Sequence, residues 1–168
     1  MVNKDFHYNY LTWTLNNCKI KTTMVKKFIW SDLYSLDNEE LDGEHMKLIS
    51  IYNEMVEYIE KEKPIDELAR LLSELTDYSL IHFKNEDNYM KQIKYPLYNK
   101  HLSFHRQYIY KVAMFNVELM SSTPPDSGKI LHFINQWWKV HILKHDKLFE
   151  DYKKANSPDS EYVSGYFK

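Results

Sequence analysis

Apolar residues in this chain recur at steps of three and four over four long stretches, a spacing that fits amphipathic helices and little else. The first stretch runs from about Glu40 to Lys61, with Leu41, His45, Leu48, Tyr52, Met55, Val56 and Ile59 on one face. Pro64 suits the first turn of a second helix, where its missing N–H would be unpaired anyway. That helix extends to about Lys91, with Leu68, Leu71, Leu72, Leu75, His82 and Glu86 inward. Tyr95-Pro96 breaks the pattern and opens a third helix, about Leu97 to Met120. Its stripe is Leu97, His101, Phe104, His105, Tyr108, Val112, Phe115 and Leu119. The loop SSTPPDSG stops it, and Asp126 or Ser127 can cap a fourth helix ending near Lys154. There the inward positions are Ile130, Phe133, Ile134, Trp137, His141, Leu148 and Tyr152. Only three glycines and five prolines interrupt 168 residues, so few turns are available. Long helices with short connections predict an all-α, up-down-up-down four-helix bundle.

The bundle is expected over residues 26–155. Residues 1–25 show no clean period and read as an N-terminal arm, and residues 156–168 as a loosely held tail. A formal charge of −2 leaves no basic surplus to neutralise phosphates, which argues against a nucleic-acid partner. Cys18 is the single cysteine, so intrachain disulfides and four-cysteine metal sites are excluded. There is no long apolar run and no apolar block near the start. No membrane association and a cytoplasmic location are therefore expected.

The chemistry lies in polar groups set on the apolar stripes. The first helix places His45 there, the second His82 and Glu86 in HFKNE, the third His101 and His105 in HLSFH. The fourth offers His141 with Asp146 or His145 in HILKHD. Residues four apart share a helix face, so His82 points with Glu86 and His101 with His105. One HxxxH is a weak signal, since eight histidines in this length give about 0.4 such pairs by chance. A single inward histidine is usually a hydrogen-bonded core residue. Five histidines and two carboxylates on four separate helices are another matter. Left unpaired, each would cost several kcal/mol, at roughly 2–7 kcal/mol per buried polar group. A shared metal cluster removes that cost. No HExxH occurs, which disfavours a zinc protease, and one or two haem ligands would not account for five histidines.

As a set, these residues resemble the signature of the hemerythrin family: an early His, then HxxxE, HxxxH and HxxxxD. The likeness extends to Trp30 with LDGEH, to HFKNEDNYM, to YPLYNKHLSFH and to WWKVHILKHDKLFEDY, covering about Lys26 to Lys154. It implies a hemerythrin-like bundle holding two iron ions, Fe2+ or Fe3+, bridged by an oxo or hydroxo group. It further implies that His101, His105 and His141 bind one iron and His45 and His82 the other, with Glu86 and Asp146 bridging. The second iron would keep an open position for dioxygen as ligand. A His-rich set differs from the carboxylate-rich ferritin-like sites, and it favours carrying oxygen over oxidising with it.

Three departures accompany the likeness. Glu44 stands where the family usually has Gln, and it adjoins His45. His141 and Asp146 are five apart, so Asp146 must reach in from the side or the helix must loosen. His145, at spacing four, is the geometric rival; the family pattern favours Asp146 and an outward His145. Lys144 is expected to snorkel outward, and Trp137 to pack beside the cluster. Phe83, Phe104, Tyr108 and Trp138 read as core that also dries the pocket. The expected function is reversible dioxygen storage, delivery or sensing, with no enzymatic activity. The alternative is a di-iron enzyme reducing nitric oxide or peroxide at the same site. No particular protein partner is indicated.

Overall fold

The computed structural model describes residues 26–157. The readings of residues 1–25 as an arm and 158–168 as tail lie outside these residues. Four bundle helices run up and down, joined by short connections. Helix α1 spans Glu39–Glu60, α2 Ile65–Gln92 and α3 Tyr98–Leu119. The fourth bundle helix has three parts: α4 at Ser127–Val140, a π-helical segment at His141–Asp146, and α5 at Lys147–Ala155. There is no strand among the described residues, and none of their helices is long and apolar enough to cross a membrane.

Local chemistry sets the boundaries. Asn38 caps α1 by accepting from the Leu41 amide, and Glu39, Glu40 and Asp42 place negative charge at the positive end of the helix dipole. Asp126, not Ser127, caps α4, accepting from the Gly128 amide at 2.7 Å. Pro64 sits one residue ahead of α2 instead of inside its first turn. Both α1 and α2 end in paired 6→1 and 5→2 hydrogen bonds, Lys63 N to Tyr58 O with Glu62 N to Ile59 O, and Tyr95 N to Met90 O with Lys94 N to Lys91 O. The left-handed residues of these two motifs are Glu62 (φ 50°) and Lys94 (φ 56°), positions where glycine is the usual choice.

The chain ahead of α1 is tied down by α1 itself. Asn53 accepts from the Phe28 amide (2.8 Å) and donates to its carbonyl (2.9 Å), and Tyr52 donates to the Lys26 carbonyl. Asp42 accepts from the Ser35 hydroxyl and the Leu36 amide. These bonds seat Phe28 and Leu36 in the core.

One end of the bundle is filled by apolar side chains: Leu48, Met55, Leu72, Leu75, Val112 and Ile130 are essentially inaccessible. The other end holds the inward histidines and carboxylates, with buried Phe149 against His101 and Tyr95 against Phe149. Two residues expected inside are not. Leu97 ends up at the N-cap of α3, ahead of the first turn, and is exposed. Leu148 follows the π-helical segment, which shifts the helix register. Phe149 is therefore the buried residue at that level, and Leu148 faces out.

Candidate metal centre

All seven singled-out side chains meet at the polar end of the bundle. His45, His82, Glu86 and Asp146 are fully buried, and His101, His105 and His141 nearly so. Each comes from where its helix passes the same level: the start of α1, the later part of α2, the start of α3 and the middle of the fourth helix. Their ligand atoms form two groups around a shared Glu86. Glu86, His101, His105 and His141 make one group, and His45, His82 and Glu86 the other. Asp146 lies between the groups, its oxygens 3.1 Å from His141 Nε2, 3.4 Å from His101 Nε2 and 3.4 Å from His45 Nε2. Glu86 reaches His105 Nε2 at 3.0 Å and His82 Nε2 at 3.3 Å.

The five-residue step from His141 to Asp146 is absorbed by the π-helical segment, which begins on one residue and ends on the other. The i→i+5 bonding of such a segment is wider than an α-turn, so residues five apart come onto one side. His145 is half-exposed and stacks on Phe104 at 4.1 Å, outside both groups, and Lys144 is exposed.

The cluster is a poor hydrogen-bonded core. Both oxygens of Glu86 and of Asp146, both nitrogens of His45, and the Nε2 atoms of His82 and His101 are buried without a hydrogen-bond partner. The Nε2 atoms of His105 and His141 face each other at 3.0 Å. Native cores rarely leave such groups unmet, because each costs on the order of 1–3 kcal/mol. Inward-facing imidazole nitrogens and carboxylate oxygens in this proportion fit divalent or trivalent cations of borderline hardness, and a pair of cations would engage the four carboxylate oxygens and the inward Nε2 atoms together.

The electrostatics divide the histidines while holding both carboxyls ionised. Burial and, against it, the neighbouring histidines act on Glu86, and the histidines win, holding its carboxyl well below the usual range; Asp146 is lowered in the same way. Burial pushes the His141 imidazole down to about 4, leaving it neutral as a metal ligand must be. His82 is driven the other way, to about 10, because Glu86 and Glu44 outweigh burial.

An outer set of groups orients the inner one. Glu44 does not turn to its sequence neighbour His45. It crosses to α2, where its Oε2 lies 2.8 Å from His82 Nδ1 while Oε1 accepts from Asn85. That contact aims His82 Nε2 at the cluster. Asp87 stands 3.5 Å behind His105 Nδ1. Phe83 stacks on His105 at 3.9 Å, and Trp137 stacks on His141 at 4.2 Å. Trp138 touches the rings of both His45 and His82, and its indole N–H donates to the Tyr108 hydroxyl at 3.0 Å. Asn85 and Asp87 drew no notice in the sequence, where they are two polar residues among many on α2. Only the packing of α2 against α1 and α3 shows what they face.

The hemerythrin family model, described as a hemerythrin HHE cation binding domain, matches residues 36–152. The bacteriohemerythrin of Clostridium acetobutylicum is 31% identical over 128 residues, covering 74% of this chain and 99% of that protein. That of Stenotrophomonas maltophilia is 23% identical over 139 residues, 82% of this chain and 90% of its own length. That of Campylobacter jejuni is 26% identical over 136 residues, 81% and 95% of the two chains. The matched span takes in α1, α2, α3, all but the last three residues of the fourth helix and the whole buried cluster, and on that ground the chain belongs to the hemerythrin family.

Proposed function

We propose that this chain binds dioxygen reversibly at a non-haem di-iron centre, for storage, delivery or sensing. One observation carries the reading: the histidines divide unequally around Glu86, three on one side and two on the other. His101, His105 and His141 would complete one iron, whereas His45 and His82 would leave the second with an open position. Glu86 and Asp146, both between the groups, would bridge. Such a pair, when bound, supplies reversible two-electron chemistry toward dioxygen.

The chain's own residues set the conditions for reversibility. Trp138 is buried against the rings of His45 and His82, and Phe83 lies against His82 and Trp138. They exclude water there and so slow proton delivery, the step that would make oxygen binding irreversible. Glu44 accepts from His82 and raises its basicity as a ligand. Trp137 and Phe83 clamp His141 and His105 by stacking, which keeps the three-histidine side rigid.

The test is optical. The iron-loaded ferrous protein should gain a visible band on exposure to dioxygen and lose it under vacuum over repeated cycles. Permanent oxidation in the first cycle, or no band, would contradict the proposal.

A further inference from the structure

The bundle is polarised in charge despite its small net charge. Helices α1 and α2 carry 13 acidic and 4 basic side chains, whereas α3 and the fourth helix carry 9 basic and 4 acidic. Two of those four acids, Asp146 and Glu150, are buried, so the α3 and fourth-helix face is more basic still. Such a division creates a directed field outside the molecule.

The seam between α3 and the fourth helix concentrates this feature. It is packed ring on ring, with Tyr108 against Trp137 at 4.3 Å and Phe115 against Phe133 at 5.6 Å. Phe104, Phe133 and Trp137 are only half-buried there. Lys111 lies over Phe115, and His145 stacks on Phe104; Lys100 on α3 and Lys144 on the fourth helix are exposed and lie one residue before His101 and His145 respectively. None of the three lysines has an acidic partner within ion-pair distance among the described residues. Trp137 stacks on the His141 ring and is itself only half-buried, on the same two basic helices that carry these lysines.

We propose that the seam between α3 and the fourth helix is a docking face for an acidic one-electron donor protein, with the Trp137–His141 stack as the point of electron entry. The proposal rests on reading the cluster as a di-iron centre. An iron pair left ferric needs one electron per iron to return to the ferrous state. Cys18 is the only cysteine, so no dithiol of this chain can supply them. Each electron must come from a separate reduced donor, which leaves oxidised; no atom or proton is transferred in the step. A half-buried aromatic patch on two basic helices suits the small, charge-steered contacts of electron-transfer partners, and the direct stack on a ligand shortens the path. Nucleic acid or an anionic membrane would use the lysines and leave the aromatic stack without a role.

The test uses the full iron-loaded chain in its diferric form, mixed anaerobically with a reduced acidic [2Fe–2S] ferredoxin of plant type. The reduction rate should fall at least about tenfold between low and physiological-to-high salt. The triple variant Lys100→Glu/Lys111→Glu/Lys144→Glu should be at least about tenfold slower with ferredoxin at low salt, yet within about twofold of wild type with a neutral hydroquinone. Trp137→Leu should slow ferredoxin reduction, and Trp137→Phe should largely restore it. A separate arm maps amide shifts of the metal-free chain with oxidised ferredoxin; they should fall on α3 and the fourth helix. A rate independent of salt, a triple variant equal to wild type, or shifts on α1 and α2 would overturn the proposal. So would salt-sensitive self-association that seats a second copy on the seam, or preferred binding to DNA or phosphatidylserine vesicles. If the chain takes up no iron, the di-iron reading fails while the amide map still decides the docking face.

Discussion

The two ends of the bundle use the same four helices to opposite effect. At one end, Leu48, Met55, Leu72, Leu75 and Ile130 fill the space between the helices without any polar atom to satisfy. At the other, seven polar side chains occupy the equivalent positions, and most of their inward atoms have no hydrogen-bond partner. The apolar end gains from burial alone, at about 25 cal/mol per Å² of apolar surface. The polar end loses by burial until a cation ties its groups together. The difference teaches how such a protein divides its labour: one half folds the bundle, and the other holds a strained, prearranged site that metal completes.

The largest effect that would break this contrast is at the polar end in the metal-loaded protein. His101→Ala should lose iron and bring the thermal midpoint down toward that of the metal-free protein. Binding of metal to the native state contributes about 3–4 kcal/mol when free metal exceeds its dissociation constant a hundred- to a thousandfold. In the metal-free protein the same substitution should cost little, because it removes an orphaned polar group. Calorimetry with and without iron separates the two. Leu72→Ala at the apolar end should behave differently, costing about 2–5 kcal/mol in both forms with iron stoichiometry unchanged.

Between these lies Glu44→Ala. It removes the group behind His82 and should weaken metal binding about 10- to 100-fold on the two-histidine side, with the three-histidine side spared. A competitive chelator titration resolves the two sites, and equal weakening of both would refute the assignment. The smallest effect sharpens the contrast from outside the site. Glu62→Gly or Lys94→Gly should stabilise both forms by up to about 1 kcal/mol, since each relieves a left-handed side chain at a helix end. Denaturant midpoints with and without iron should move together.

Much of this arrangement was legible in the sequence, for a definite reason. The 3.6-residue period places Leu41, His45, Leu48 and Tyr52 on one face whatever their chemistry, so the polar residues on a stripe reveal themselves against the apolar ones. The four helices and the inward placing of the five histidines and Glu86 follow from that period together with short connections, whereas Asp146 over His145 comes only from the resemblance to the hemerythrin family. What depends on contacts across helices did not show. Glu44 reads as a neighbour of His45, but it pairs with His82 because α1 and α2 run antiparallel at that level. Leu148 reads as inward on a regular α-helix, and the π-helical segment turns it out. That segment was foreshadowed by the five-residue step from His141 to Asp146, although the step alone left a sideways reach equally open. Leu97 follows the period of its stripe but falls at the cap, where the period no longer applies.

The central claim is that the polar end is a two-metal site completed by seven side chains. Anaerobic titration of the metal-free chain with ferrous iron, followed by removal of unbound metal and direct analysis, tests it most directly. Saturation at two irons per chain, falling to one or none in His101→Ala, is the predicted result. A chain that retains no iron, or that retains two with His101 removed, would contradict it.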